Sequence, residues 1–305
     1  GAAKAVEELA AEKDVVAIIG PLTSGDAPDT AKKAQELAIP LVSVSQRDDI
    51  TQAGDFIFRN SVSDSSEMST LAEYITKKAK MKRFLAFYPK NKKGSEYFRL
   101  FNEEIKSRGG KIVFSREYTS DEVGVGSDLR NRGDGSEEEK SSLDITNEAS
   151  SFDAVFIPDS LPVAAYIAQK HDLNTSEKLK LLGVSRWDDQ RLIDKAQGYA
   201  NGAIFVDSFY KSADSPDVSS FVTNFKSAYN VDPTLLEALG FDSMRLIISA
   251  VIDRGASHRD SVRDALAQVW DFPGVTGKIT FNKNREAERE LWVLMVQDGV
   301  IKPAE

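Results

Sequence analysis

Val15-Val16-Ala17-Ile18-Ile19-Gly20-Pro21-Leu22-Thr23-Ser24-Gly25 decides the fold. A short, continuous apolar run closed by Gly-Pro reads as a strand buried on both faces. Before it, Ala2, Ala5, Val6, Leu9 and Ala10 share one face of a helix over 2–13. After it come a helical stretch over about 26–37 and a second strand, Ile39–Val44.

The alternation runs on. Asp64-Ser65-Ser66-Glu67 has the form of a capping box, opening a helix with Met68, Leu71, Ala72 and Ile75 on one face. Phe84–Tyr88 is a strand ended by Pro89. Residues 95–108 form a helix with Phe98, Phe101 and Ile105 inward, stopped at Gly109-Gly110, and Lys111–Tyr118 is a strand. Further strands are expected at 154–157, 179–183 and 203–206, with a helix over 162–171 that carries Pro162 in its first turn. Residues 216–229 read as an amphipathic helix, 234–253 as a buried helix apolar on most sides, and 259–269 as a third. Residues 278–282 and 290–297 read as adjacent strands. Strands alternating with helices predict parallel sheets covered on both faces, with right-handed crossovers. The stretch 121–150 breaks the rhythm with nine acidic and three basic residues; a mobile insertion is expected, with a short helix near 137–149.

The 305 residues suffice for two domains. A net charge of −9 argues against nucleic acid, whose phosphates demand a basic face. The absence of cysteine removes thiolate metal sites and disulfides, and two histidines, His171 and His258, make a multi-histidine metal site a poor expectation. No cofactor is expected. No apolar run approaches the ~18 residues of a membrane span. Gly1-Ala2-Ala3-Lys4 runs directly into a helical pattern, so the expectation is an export signal already removed or a cytosolic chain.

In parallel α/β sheets ligands bind beyond the carboxyl ends of strands, which directs attention to the residues after each apolar run. Ser24 follows the first strand and Ser45, Gln46 and Arg47 the second; Asp159 and Ser160 follow 154–157, Ser185 and Trp187 follow Gly183, and Asp207 ends 203–206. Each has a bland alternative: an N-cap for Ser24, a solvated loop for Ser45–Arg47, core packing for Trp187. Catalytic patterns are weak. Gly183-Val184-Ser185-Arg186-Trp187 lacks the final glycine of a nucleophile elbow, and no phosphate-binding glycine motif occurs, so no enzyme and no catalytic residue is expected.

The ordered motifs VVAIIGPLTSG, IPLVSVSQ, FIFRN, RFLAFYP, FDAVFIPD, LLGVSRW, GAIFVDSF, DPTLLEALGFDSMRLI and GVTGKITFN together resemble the leucine/isoleucine/valine-binding protein family of ABC importers, over nearly the whole chain. Within it the chain looks closest to the branch of penicillin-binding protein activators, relatives of the LpoA lipoprotein C-terminal domain. The resemblance implies a two-lobed α/β periplasmic-binding-protein type I fold of Rossmann-like parallel sheets with three crossovers, lacking the family's first strand and helix. It implies lobe one at 1–82 and 209–284 and lobe two at 83–208 and 285–305, with a ligand in the interlobe cleft. Ser24 matches the serine that holds a ligand carboxylate, and Ser45 matches a backbone-carbonyl contact. Arg47 stands where a hydroxyl is usual, Lys93 where a tyrosine is, and Asp159 or Ser160 at a second tyrosine. Ser185 falls where an acidic residue meets the ligand ammonium and cannot supply that charge, leaving Asp188 or Asp159 to replace it. The function implied is a periplasmic solute receptor for an amino acid or similar small polar molecule, partnered by an ABC permease. The alternative is a lipid-anchored envelope regulator that binds an enzyme such as a peptidoglycan synthase.

Overall fold

The structure, a computed structural model, describes residues 1–123, 152–171, 173 and 179–304. The acidic insertion expected at 121–150 therefore lies, from 124 onward and including its helix near 137–149, outside the described residues.

The chain divides into two compact units, residues 1–63 with 208–291 and residues 64–207 with 292–305. The boundaries differ from the expected 82/83 and 284/285. Residues 64–82 belong with the second unit because their helix packs on the helix at 92–107 through Lys93–Asp64 and Tyr97–Glu67 contacts.

Unit one opens with α1 (Ala2–Ala11), β1 (Ile18–Ile19), α2 (Ala27–Glu36), β2 (Leu41–Ser43) and β3 (Ile57–Arg59). The strands pair parallel in the order β1-β2-β3. Leu41, Val42, Ile57 and Phe58 are buried, as strands covered on both faces require. Val6, Ala27, Ala31 and Ala34 seal one face; the small side chains of α2 let it lie close to the sheet. Val42 and Phe58 join a second cluster with Leu246, Ala250, Val262 and Leu266.

The second unit holds α3 (Asp64–Glu73), which continues as a π-helical turn Tyr74–Lys78, then β4 (Arg83–Pro89), α4 (Lys92–Ser107), β5 (Lys111–Tyr118), β6 (Ala154–Phe156), α5 (Leu161–Lys170), β7 (Lys180–Leu182), α6 (Gln190–Ala196) and β8 (Ile204–Asp207). α4 starts earlier than its apolar pattern suggests, because the Asn91 side chain caps it by accepting the Gly94 N–H at 2.9 Å.

The chain returns to unit one for α7 (Pro216–Tyr229), α8 (Leu235–Ile252), α9 (Arg259–Ala267) and the antiparallel strands β9 (Phe272–Gly274), β10 (Gly277–Phe281) and β11 (Ala287–Glu288). β12 (Trp292–Gln297) and β13 (Val300–Pro303) then complete the second unit's sheet, ordered β13-β12-β8-β7-β6-β4-β5. Its β8–β5 portion is parallel, and β12 pairs antiparallel with both β8 and β13.

Two expectations are corrected here. The strands 278–282 and 290–297 are not adjacent: β10 pairs with β9 and β11, whereas β12 pairs with β8 and β13. Both runs alternate, and alternation cannot name the partner strand. Nor is α8 buried all round. Ala238, Leu239, Leu246 and Ala250 face the core, while Met244, Ile248 and Ile252 are 49%, 50% and 72% exposed, with Leu236 and Phe241 on the same open side.

Candidate functional site

In unit one, the loops after β1 and β2 meet. Ser24 is exposed and its Oγ lies 3.4 Å from the Oγ of buried Ser45. Ser45 Oγ also accepts the Arg47 N–H at 3.2 Å, and the Ser45 N–H donates to Ser43 Oγ at 3.1 Å. These bonds fold the 43–47 loop on itself, so the two hydroxyls sit side by side at the sheet's carboxyl end. Of these groups the exposed Ser24 hydroxyl is the one open to a carboxylate, with Ser45 buried behind it. Gln46 is half-buried beside them. The Arg47 guanidinium is held on Asp49 by bonds of 2.5 and 2.8 Å, which raises its pKa further.

In unit two, Asp159 follows β6. Its carboxylate accepts the Tyr118 hydroxyl at 2.8 Å and the Ser160 N–H at 2.6 Å, and its carbonyl accepts Trp187 Nε1–H at 2.6 Å. Burial, and then the Asp159 charge, push the Tyr118 phenol well above its usual range. Ser160 is the N-cap residue of α5. Trp187 is fully buried, packed on Gly183 and near Phe205 at 6.3 Å between ring centres. It presents no ring face to a ligand; the tryptophan expected among the ligand residues is a core residue that fixes the position of the Asp159 backbone. Asp207 is buried at the end of β8, opposite Trp292 of β12.

Lys93 and Ser185, far apart in sequence, are both held by α3. Lys93 Nζ lies 2.7 and 2.6 Å from the two oxygens of Asp64. The Ser185 N–H donates to Glu67 Oε1 at 2.5 Å, and the Tyr97 hydroxyl to Glu67 Oε2 at 3.3 Å. Asp64 and Glu67 are both buried. Burial pushes the Glu67 carboxyl up to about 7, reinforced by Asp64 and opposed by the Ser185 N–H, Lys93 and Tyr97. The sequence signal for this cluster was present as the Asp64…Glu67 spacing, which reads as a helix cap; the structure sends the Glu67 carboxylate beyond its own helix.

A second buried charge network lies in unit one. Arg59, 2% exposed, donates through Nε to Glu286 at 2.5 Å and forms an ion pair through Nη2 with Asp48 at 3.1 Å, while its Nη1 has no hydrogen-bond partner. Burial raises the Glu286 carboxyl against the opposing Arg59 charge. Asp242, fully buried, accepts the Val275 and Thr276 N–H groups at 2.9 Å each and the Thr276 hydroxyl at 2.6 Å. Arg289 donates to Thr276 and Asn60, and burial lowers its guanidinium to about 10 with Asp242 opposing. Sequence reasoning missed these residues, since buried charges look like surface charges until their partners are placed.

Among the described residues no group of three or more histidine, cysteine or acidic side chains could hold a metal ion. His258 caps α9, accepting the Ser261 N–H at 3.3 Å, and His171 stacks on Phe87 with centres 5.2 Å apart. Among the described residues no helix is long and apolar enough to cross a membrane.

Two α/β units, each with hydroxyl and carboxylate groups at the carboxyl ends of a parallel sheet, define a binding protein of the periplasmic class. The sequence profile of the periplasmic binding protein family matches residues 1–131 and 145–300, and the chain belongs to that family. The family is one of solute-binding proteins and not of enzymes. Solved structures agree on the fold. A branched-chain amino acid ABC transporter from Rhodospirillum rubrum superposes with a TM-score of 0.82 at 22% identity, covering 99% of this chain and 84% of that one. A branched-chain amino acid transporter substrate-binding protein from Streptococcus pneumoniae, in complex with isoleucine, gives 0.75 at 22% identity, covering 100% and 82%. A solute-binding protein of an ABC transporter from Rhodopseudomonas palustris, in complex with 3,4-dihydroxybenzoic acid, gives 0.76 at 18%, covering 98% and 80%. A stretch of 109 residues is 31% identical to glutamate receptor 3.1 of Oryza sativa subsp. japonica; it covers 35% of this chain but only 12% of the receptor.

Proposed function

We propose that the protein is the solute receptor of an ABC-type importer, working in the periplasm and taking an amino acid or similar small polar molecule on its strand-end loops. The observation that carries this reading is the exposed Ser24 hydroxyl, braced 3.4 Å from that of buried Ser45 at the carboxyl end of β1 and β2, where a ligand carboxylate would be received. Gln46 and Arg47 flank them; Asp159, Ser160, Ser185 and Asp207 are the matching candidates in unit two. The presence of isoleucine in one solved relative and of an aromatic acid in another supports a small ligand that carries a carboxylate. Thermal-shift measurements with L-amino acids and hydroxybenzoates test it. A true ligand raises Tm in proportion to the logarithm of its concentration, and Ser24→Ala removes most of that rise. A stability unchanged by every compound refutes the reading.

One observation favours a second reading. Arg47, Lys93 and Ser185 are each held by a carboxylate of their own unit. Such a self-satisfied set suits a lipid-tethered envelope regulator, like the penicillin-binding protein activators, that acts by contact with an enzyme. Co-precipitation of a peptidoglycan synthase without any ligand-induced shift is its expected signature.

A further inference from the structure

Two positions that the family resemblance gives to ligand contact, Lys93 and Ser185, are tied through α3 to a pair of buried carboxylates. Lys93 Nζ bridges both Asp64 oxygens and sits 4.8 Å from the centre of the Tyr97 ring. The Ser185 N–H and the Tyr97 hydroxyl occupy the two Glu67 oxygens. The groups around Glu67 are thus Asp64 on its own helix, Lys93 and Tyr97 on α4, and the Ser185 backbone. β8, also packed on α3, ends in the buried acid Asp207, and Arg108 of the α4 end reaches Ser69 farther along the helix.

The charge count of Asp64, Glu67 and Lys93 is −1 with Glu67 ionised and zero with it protonated. Two buried carboxylates on one helix, with the ammonium bound to Asp64, are an arrangement in which the other one readily keeps a proton. A charge brought to Lys93 and Ser185 shifts that balance, because opposite charges nearby favour ionisation and like charges oppose it. We propose that Glu67 couples ligand charge to a proton: a ligand ammonium arriving at Lys93 and Ser185 expels the Glu67 proton, and a ligand carboxylate arriving there draws one in. Glu67 does not itself touch the ligand; it is a positioning residue that sets which charge this end of unit two accepts. The inference rests on the solute-receptor reading above. It also answers the question posed by Ser185, which cannot supply the acidic charge at its own position: α3 supplies it from behind. Since burial holds the Glu67 carboxyl near 7, both directions of proton exchange are open at neutral pH.

The test is isothermal titration of the whole chain at pH 7 in phosphate and in Tris, buffers of very different ionisation heats, with L-leucine and 4-hydroxybenzoate as probes. Leucine binding is expected to release a fraction of a proton, seen as a difference in heat between the two buffers. 4-Hydroxybenzoate is expected to take up a comparable fraction. Glu67→Gln abolishes both exchanges and flattens the rise of leucine affinity between pH 6 and 8. Tyr97→Phe, which removes one donor from Glu67 and keeps the ring, moves the midpoint of the exchange to higher pH. Heats independent of buffer, or an exchange that survives Glu67→Gln, overturn the proposal. If leucine and other amino acids give no heat and 4-hydroxybenzoate does, the amino-acid reading falls while Glu67 is still judged by proton uptake. Heat from neither probe overturns both.

Discussion

The indole of Trp187 occupies the space that a side chain at position 183 would need. A Cβ built on Gly183 would stand 2.2 Å from Trp187 Cε2, well inside contact distance. The ring is in turn pinned by its N–H bond to the Asp159 carbonyl. Gly183→Ala is therefore expected to destabilise the protein by about 1–3 kcal/mol, the usual penalty of overpacking. Urea unfolding measures it. Adding Trp187→Phe should recover part of the loss by making room, and a double variant no more stable than Gly183→Ala alone would show that the indole is not the obstacle.

Glu67 gives a pH dependence whose sign is fixed. Its folded-state pKa of about 7 lies above the unfolded value of 4.5, so the folded state holds the proton more tightly. Stability is unpenalised below pH 4.5 and falls as pH rises through 7. The full penalty, about 3 kcal/mol from the size of the shift, applies above that range. Glu67→Gln, neutral throughout, should gain on the wild type as pH increases. The difference in Tm between the two should be more positive at pH 8 than at pH 5. A difference that is flat or reversed between those pH values refutes the assignment.

Asp242 clasps α8 to the β9–β10 turn by accepting three hydrogen bonds while facing the charge of Arg289. Asp242→Ala leaves two buried N–H groups unpaired and the guanidinium uncompensated. A loss of about 3–5 kcal/mol is expected, as for breaking a buried pair from one side. Asp242→Asn, which keeps an acceptor and the shape, should lose less. Chemical denaturation of the two variants reads the order directly.

The open side of α8 should respond in the opposite way. Met244 and Ile248 are about half exposed, so Met244→Lys with Ile248→Lys should change stability by no more than about 0.5 kcal/mol per site. The same pair should reduce binding of a fluorescent hydrophobic probe. A large fall in Tm would mean that these side chains are packed in solution.

Much of the fold was legible because parallel strands buried on both faces leave unmistakable apolar runs, as at Ala154–Phe156 and Ile204–Asp207. The family was legible in the order of such runs with their polar closing residues. Pairing was not: β10 and β12 each alternate, and nothing local says that β12 crosses to β8. The open side of α8 was misread because hydropathy alone does not distinguish an apolar side that is covered from one that is not. Around the candidate site, the sequence indicated that Ser24 and Ser45 follow strands, and the structure sets their hydroxyls 3.4 Å apart. Glu67 was not legible, since the backbone it serves lies 118 residues away, and the Arg59–Glu286 pair spans 227. Trp187 was misassigned because a tryptophan after a strand looks alike whether its ring faces a ligand or a glycine.

The last strands of the second unit, β12 and β13, lie on β8 only after the chain has gone back through α7, α8, α9 and the β9–β11 sheet. β8 therefore stays without its outer neighbour until residues 292–297 have been made. A chain cut after β11 would leave β8 as a bare sheet edge, the kind of surface that recruits a strand from another molecule.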